Sequence, residues 1–157
     1  MSKAYIGIDP GKSGSICLLL PNDKIIFVDI NEQPANLMDS IKNISHSHEL
    51  KIMLEKVGPM QLGGLTSAWN FGCNVCTIRT VLACTRLGYD TVPPKTWQKE
   101  VGVVIPPKTP PAKKKKITEA VAIRLFPNAE IYGSKGGLID GRSDALMIAH
   151  YCRIRYP

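Results

Sequence analysis

Three short apolar segments lie close together at the start of the chain, and they constrain its fold more than any other feature. Residues 5–8, 15–20 and 24–30 have the composition of strands, and Pro21-Asn22-Asp23 forms the turn between the last two. The pattern predicts a meander of three strands.

Helical and strand-like segments alternate through the rest of the chain. Apolar spacing predicts helices over 36–44, 65–87, 113–126 and 142–153, and strands over 51–54 and 89–92. Residues predicted to face inward on the third helix are Ile117, Ala120, Val121 and Leu125. The proline-rich residues 102–112 predict a surface loop, because proline is excluded from regular helices and central strands. Together these elements predict one α/β domain over residues 1–157, with its functional site at strand ends.

The positive charge of the chain is concentrated in one segment. The formal net charge is +7, and between Pro93 and Pro127 eight basic residues face two acidic ones. Such a positive field favours the binding of a polyanion, most of all nucleic acid and next an anionic membrane. The alternative is that the lysines form an ordinary solvent-exposed face without a partner. No apolar run approaches the roughly 20 residues that cross a bilayer, and the first residues lack the features of a secretory signal. We therefore expect a soluble, intracellular protein.

The cysteines do not form the pattern of a secreted disulfide framework, because they are odd in number and scattered. They are Cys17, Cys73, Cys76, Cys84 and Cys152. Cys73 and Cys76 have C-x2-C spacing but fall inside a predicted helix, with no second such pair to complete a zinc site. We predict that the cysteines are buried as small apolar residues, with metal or redox use as the alternative.

Four carboxylates stand at the ends of predicted elements. Asp9 follows the first strand, Glu55 follows the strand over 51–54, and Asp140 and Asp144 lie near the start of the last helix. Residues four apart share one helix face, although Asp140 could instead cap the helix. Magnesium takes oxygen ligands, and two ions about 4 Å apart need carboxylates from several elements. The four residues therefore predict a metal site, with ordinary surface carboxylates as the alternative.

Motifs along nearly the whole chain, from about Ile6 to Tyr151, resemble those of RuvC-like Holliday-junction resolvases, which have the RNase H-like fold. "IGIDPGKSG" is similar to the first strand of that family, "MLEKVGPM" to its second acidic motif, "WNFG" to the start of its long helix and "VPPKTWQK" to a strand-to-helix segment. "AKKKKITEAVAIRLFP" followed by "DGRSDALMIAHY" resembles the basic helix and the acidic last helix of the phage and chloroplast branch. The resemblance implies a five-stranded mixed sheet, an antiparallel meander of strands 1–3 plus parallel strands, flanked by helices.

The resemblance also implies an activity. It makes Asp9, Glu55, Asp140 and Asp144 catalytic carboxylates that bind two Mg²⁺ ions, with Mn²⁺ as an alternative. One ion, held by Asp9 and Asp144, would activate water, and a second, shared by Asp9 and Glu55, would stabilise the leaving 3′ oxygen. The implied reaction is the paired cleavage of four-way DNA junctions by a homodimer. The implied location is the bacterial cytoplasm, with a phage origin as an alternative.

The same resemblance assigns contacts to DNA. Lys113, Lys114, Lys115 and Lys116 would contact the DNA backbone near the scissile phosphate, and Lys12 is a further candidate, with a solvent-facing turn lysine as the alternative. Bacterial members carry an aromatic residue three positions after the second acid, where this chain has Gly58. Met60, Trp69 or Phe71 would have to take its role, although Phe71 is expected in the core; the alternative is that this chain lacks the function. The long helix after Gly64 is the candidate dimer interface.

Three other functions are weighed against junction cleavage. A phosphate-binding P-loop needs four residues between its first glycine and Gly-Lys-Ser, whereas Gly7 and Gly11 enclose three, and ATPases that begin with a similar strand use two such domains. We therefore expect no nucleotide cofactor. A nuclease acting on RNA, flaps or forks remains open, as does a noncatalytic module that binds junctions.

Overall fold

The computed structural model describes residues 1–11, 13–30, 33–59, 64–139 and 141–157, and of Asp29 the backbone alone. The strands are β1 (Ser2–Asp9), β2 (Ser15–Leu19), β3 (Ile25–Asp29), β4 (His48–Glu55) and β5 (Asp90–Val92). The helices are α1 (Pro34–Ser45), α2 (Leu65–Thr85), α3 (Pro94–Glu100), α4 (Pro111–Leu125) and α5 (Arg142–Arg155). Among the described residues, no helix is both long enough and apolar enough to span a membrane.

The strands form one mixed sheet in the order β3-β2-β1-β4-β5. β2 is antiparallel to both β1 and β3, whereas β4 is parallel to β1 and β5 is parallel to β4. This arrangement confirms the predicted five-stranded mixed sheet, with its antiparallel meander and parallel strands.

The two faces of the sheet are covered by different helices. Successive residues of a strand point to opposite faces, and β1 divides accordingly: Ala4, Ile6 and Ile8 join the core beneath α1 and α2, whereas Tyr5 joins the core beneath α3, α4 and α5. Asp9 has the parity of Tyr5. The end of β1 therefore directs its carboxylate to the α5 side of the sheet.

The basic helix α4 differs from its prediction in two ways. It begins at Pro111, inside the expected loop. Proline is tolerated at this position, because the N–H groups of a helix's first turn have no partner within the helix and the missing N–H of proline is not needed. Its buried residues are Thr118, Val121 and Ala122, whereas Ala120 and Leu125 are exposed. Phe126 directly follows the helix and is buried in the core, so the neighbouring Leu125 is left at the surface.

The prediction of buried cysteines is correct for Cys17 and Cys152 and wrong for Cys73, Cys76 and Cys84, which are exposed. The buried residues of α2 lie on one side of the helix: Phe71, Ile78, Val81, Leu82 and Thr85. The three exposed cysteines lie on the other side. Helical periodicity alone did not show that both sides of α2 carry apolar or small residues.

Candidate active site

Two of the predicted carboxylates lie side by side at the end of adjacent parallel strands. Ile8 pairs with Leu54 in the register of β1 and β4, so Asp9 and Glu55 are the next residues of the two strands. Adjacent strands are about 4.8 Å apart, and residues at matching positions point to the same face. Both side chains therefore lie on the side of the sheet that α5 covers.

Two glycines allow α5 to approach β1 closely. A Cβ atom at Gly7 would lie 2.2 Å from both the carbonyl oxygen of Ala145 and the amide nitrogen of Ala149. Gly141 occupies the N-cap of α5 with φ of 79°, and a Cβ there would lie 2.4 Å from the carbonyl oxygen of Ser13. Because only glycine has no Cβ and readily adopts a positive φ, these positions seat the first turn of α5, with Asp144, beside the loop after β1.

The carboxylate of Asp9 is oriented by the turn that ends β1. The backbone N–H of Gly11 donates a hydrogen bond to Asp9 Oδ1 at 3.0 Å, and the Gly14 N–H donates to the Gly11 carbonyl oxygen at 3.0 Å. Pro10 cannot continue strand pairing because it lacks an N–H. The turn holds the carboxylate at the open edge of the sheet.

The carboxylate of Glu55 is held by a buried tryptophan. Trp97 Nε1 donates a hydrogen bond to Glu55 Oε1 at 2.9 Å, and the Trp97 side chain is 1% exposed. Burial and then the negative charge of Asp9 raise the pKa of Glu55 from 4.5 to about 7; the Trp97 hydrogen bond opposes this rise, and the charge of Asp144 adds to it. Glu55 therefore senses both of the other carboxylates, and the site disfavours a third negative charge.

A pocket of about 210 Å³ opens beside these groups. Its lining includes Asp9 from β1, Asp144 from the first turn of α5 and Lys115 from α4. The N-terminus of α5 carries a partial positive charge that favours the carboxylate of Asp144. The pocket thus combines carboxylates with a lysine, which suits a ligand that has both a cation and a phosphate.

Ser143 also lines this pocket, and it is 6% exposed. Its Oγ is buried and has no hydrogen-bond partner within the described part of the chain. A buried hydroxyl left without a partner costs roughly 1 to 3 kcal/mol. Such a group in the wall of a polar pocket indicates a place where a bound ligand or water would supply the missing partner.

The donor set fits a hard divalent cation, since it consists of carboxylate oxygens from β1, β4 and α5 and a neighbouring hydroxyl. Within the described ranges, no group of three or more His, Cys, Asp or Glu side chains is arranged so that it could hold a metal ion. Asp140, the fourth predicted ligand, lies outside the described residues. The three described carboxylates are therefore partners in one electrostatic site, and their role as metal ligands stays a prediction.

The other predicted contact residues have different positions. Lys113, Lys114, Lys115 and Lys116 are exposed in the first turns of α4, and of these Lys115 lines the pocket. Trp69 is 74% exposed on α2, whereas Phe71 is buried, as expected for a core residue. Lys12 and Met60 lie outside the described residues.

Sequence reasoning missed two residues of the site. Trp97 lies 42 positions from Glu55 in the sequence, and this separation hides their contact. Ser143 precedes Asp144 and carried no signal of its own, because a serine in the first turn of a helix is common. The pairing of β4 with β5, followed directly by α3, is the feature that brings Trp97 to Glu55.

Comparison with solved structures identifies the architecture. A structure titled T. thermophilus RuvC in complex with Holliday junction substrate is similar with a TM-score of 0.56 and 14% sequence identity, over 98% of this chain and 95% of that chain. The chain has the RNase H-like fold of RuvC. A second Thermus thermophilus RuvC structure is similar with a TM-score of 0.55 and 13% identity, over 97% of this chain and 95% of that one. No family model and no curated protein sequence matches, so the narrower resemblance to the phage and chloroplast branch stays a prediction.

Proposed function

We propose that this protein is a metal-dependent endodeoxyribonuclease that resolves four-way DNA junctions by paired phosphodiester hydrolysis. The observation that carries the proposal is the convergence of Asp9, Glu55 and Asp144 at one sheet edge, beside a pocket lined by Lys115. The RuvC fold supports a nuclease, and the junction bound in one of the similar structures supports branched DNA as the substrate.

The four acidic residues would hold Mg²⁺, with Mn²⁺ as an alternative and two ions per site. A divalent cation bound there supplies Lewis-acid activation of water and offsets negative charge on the phosphate. Gly11 and Trp97 orient the carboxylates of Asp9 and Glu55 through hydrogen bonds. The Lys115 ammonium, on a flexible stem, can follow negative charge that develops on a phosphate oxygen in the transition state.

The basic face of α4 would bind the DNA backbone beside the pocket. Four exposed lysines in its first turns form a local positive field that favours phosphates over neutral ligands. Each neutralised phosphate releases condensed counterions, so binding weakens steeply with salt. When Lys113–Lys116 are replaced with glutamine, the logarithm of the DNA association constant should depend less steeply on the logarithm of the salt concentration. An unchanged slope contradicts the binding of DNA at these lysines.

A homodimer suits a four-way junction, because the substrate is nearly two-fold symmetric and paired cuts need two active sites. We propose that the dimer forms through α2, whose outer side carries Leu65 and Trp69 with 92% and 74% of their surfaces exposed. We propose the bacterial cytoplasm as the location, with a phage origin as the alternative, because a protein that cleaves DNA junctions must have access to DNA.

The test is cleavage of a labelled four-way DNA junction with Mg²⁺ or EDTA, using the wild-type protein, Asp9→Asn and Asp144→Asn. The proposal predicts nicks that require the metal and are lost in both variants, while junction binding persists. Binding without cleavage under either Mg²⁺ or Mn²⁺ indicates the noncatalytic module instead. Cleavage of an RNA–DNA hybrid or a flap in preference to the junction indicates a nuclease that acts on RNA, flaps or forks.

A further inference from the structure

The outer side of α2 carries a stripe of mostly apolar and small side chains. Eight exposed side chains make up this outer stripe: Leu65, Thr66, Trp69, Cys73, Cys76, Thr80, Ala83 and Cys84. Since successive residues of a helix are turned by about 100°, these positions lie within about 100° of one another around the axis. Arg79 is the one charged residue in the sequence of α2, and it falls beside the stripe. The stripe is therefore neutral along its whole length.

A second copy of this chain is the occupant that the stripe fits. A neutral apolar surface is complemented by another neutral apolar surface, and the same stripe on a second copy is one. Trp69 and Leu65, at their exposed fractions, together offer roughly 300 Å² per copy. Two copies then supply half of the roughly 1,200 Å² that a small specific interface buries. The rest of the stripe, about 28 Å long by the helical rise, provides the remainder.

The cysteines Cys73 and Cys76 stand at the centre of the outer stripe. Its ends are Leu65 and Cys84, so its midpoint falls between residues 74 and 75, with one cysteine on either side. A two-fold axis that passes between the two α2 helices at this level, at right angles to both, brings Cys73 opposite Cys76 of the second copy. Around the helix axis, Cys73 and Cys76 of one chain lie on either side of the midline of the stripe. The line that joins the two thiols of the second copy therefore crosses the line that joins those of the first. With ideal helix geometry, the four sulfur atoms would then lie near the corners of a tetrahedron.

We infer that Cys73 and Cys76 of two copies together bind one Zn²⁺ ion at the contact between their α2 helices. Tetrahedral sites with four thiolates are typical of structural zinc, and soft sulfur ligands favour zinc over magnesium. Zinc binding converts the thiols to thiolates and releases their protons to solvent. Within the described residues a single chain has no group of three or more such ligands, so the site is incomplete without the second copy. The inference rests on the dimer of the proposed function.

The test is a titration of the reduced full-length chain with Co²⁺, followed by displacement with Zn²⁺. Cobalt in a tetrahedral thiolate site gives intense sulfur-to-metal charge-transfer bands, whereas cobalt bound by carboxylates gives none. The inference predicts these bands with saturation at one ion per two chains, and their loss when Zn²⁺ is added. Absence of the bands, or saturation at one ion per chain, overturns it.

Three serine variants show which thiols bind the metal. Cys73→Ser and Cys76→Ser should each lose the bands, whereas Cys84→Ser should keep them, because Cys84 lies about 12 Å further along the helix than Cys76. Equal loss in Cys84→Ser overturns the assignment. Sedimentation and junction cleavage, measured on the same samples, separate this inference from the proposed function. A dimer that cleaves junctions but lacks the bands overturns the zinc site alone, and a dimer that shows the bands but cleaves no junction overturns the nuclease alone.

Discussion

The helices α5 and α2 lie on opposite faces of the same sheet and differ in how they use their apolar residues. Five consecutive residues of α5, Ala145 to Ala149, are 0% exposed. In α2, by contrast, Leu65 is 92% exposed and Trp69 74%. A helix whose central turns are enclosed can hold a carboxylate in a fixed position, whereas a helix with one uncovered apolar side is suited to bind a partner. The site and the proposed interface thus belong to different faces of the fold.

The largest effect is expected where α5 contacts β1. Gly7→Ala would place a Cβ atom 2.2 Å from the backbone of α5, so strand and helix must separate. We expect a loss of more than about 3 kcal/mol in the free energy of unfolding, as for severe overpacking. The matched control is Gly72→Ala on α2, where no atom lies within 4 Å of the added carbon. That variant should gain up to about 1 kcal/mol from helix propensity. Urea unfolding measures both, and equal effects would contradict the comparison.

The protonation of Glu55 should make the stability of the metal-free protein depend on pH. Because the pKa of Glu55 is raised from 4.5 to about 7, the folded state binds this proton more tightly than the unfolded state does. Its contribution is fully present below pH 4.5 and is lost as pH rises through about 7. The loss amounts to at most about 3 kcal/mol. Thermal unfolding in EDTA from pH 4.5 to 8 measures it, and Glu55→Gln should remove this component of the pH dependence. An unchanged profile in that variant would assign the effect to other groups.

Loss of the Trp97 hydrogen bond should raise the pKa of Glu55 further, because that bond favours the ionised carboxylate. For Trp97→Phe we expect the acidic limb of the cleavage profile to move to higher pH and the rate at pH 7 to fall roughly fivefold, the effect of a pKa rise of about one unit, or about 1.4 kcal/mol. Tyr89→Phe is the control, since Tyr89 packs against the core on the other face of the sheet. A shift of the acidic limb in the control, or none in Trp97→Phe, would contradict the contact.

The smallest effect is expected at Ser143. Ser143→Ala removes a buried hydroxyl without a partner in the described structure, so the metal-free protein should become more stable by roughly 1 kcal/mol. The melting temperature should rise by about 2 to 4 °C. Thr80→Ala, an exposed hydroxyl variant on α2, should show no such gain. A lower melting temperature for Ser143→Ala would mean that the hydroxyl already has a stabilising partner.

The sequence predicted the sheet well because its signals are local. Proline and asparagine in the turn at Pro21–Asp23, and the short apolar runs beside it, specify the meander without reference to distant residues. The ends of the predicted strands likewise indicated Asp9 and Glu55 as candidate carboxylates, whereas their position side by side follows from the pairing of β1 with β4 in the structure.

The remaining features depend on contacts between distant parts of the chain. The exposure of Cys73 and Cys76 depends on which side of α2 faces the sheet, and a helix that is apolar on two sides gives no such signal. The bond between Trp97 and Glu55 requires β5 to pair with β4. The close approach at Gly7 becomes visible only when α5 lies across β1.

The most direct test of the central claim uses a four-way junction labelled on two opposing strands, beside a linear duplex of the same sequence, with Mg²⁺ present. The account predicts nicks at symmetric positions in both labelled strands of the same junction, and little cleavage of the duplex. Equal cleavage of the duplex, or cuts that occur in one strand without the other, would contradict paired junction cleavage at the site formed by Asp9, Glu55 and Asp144.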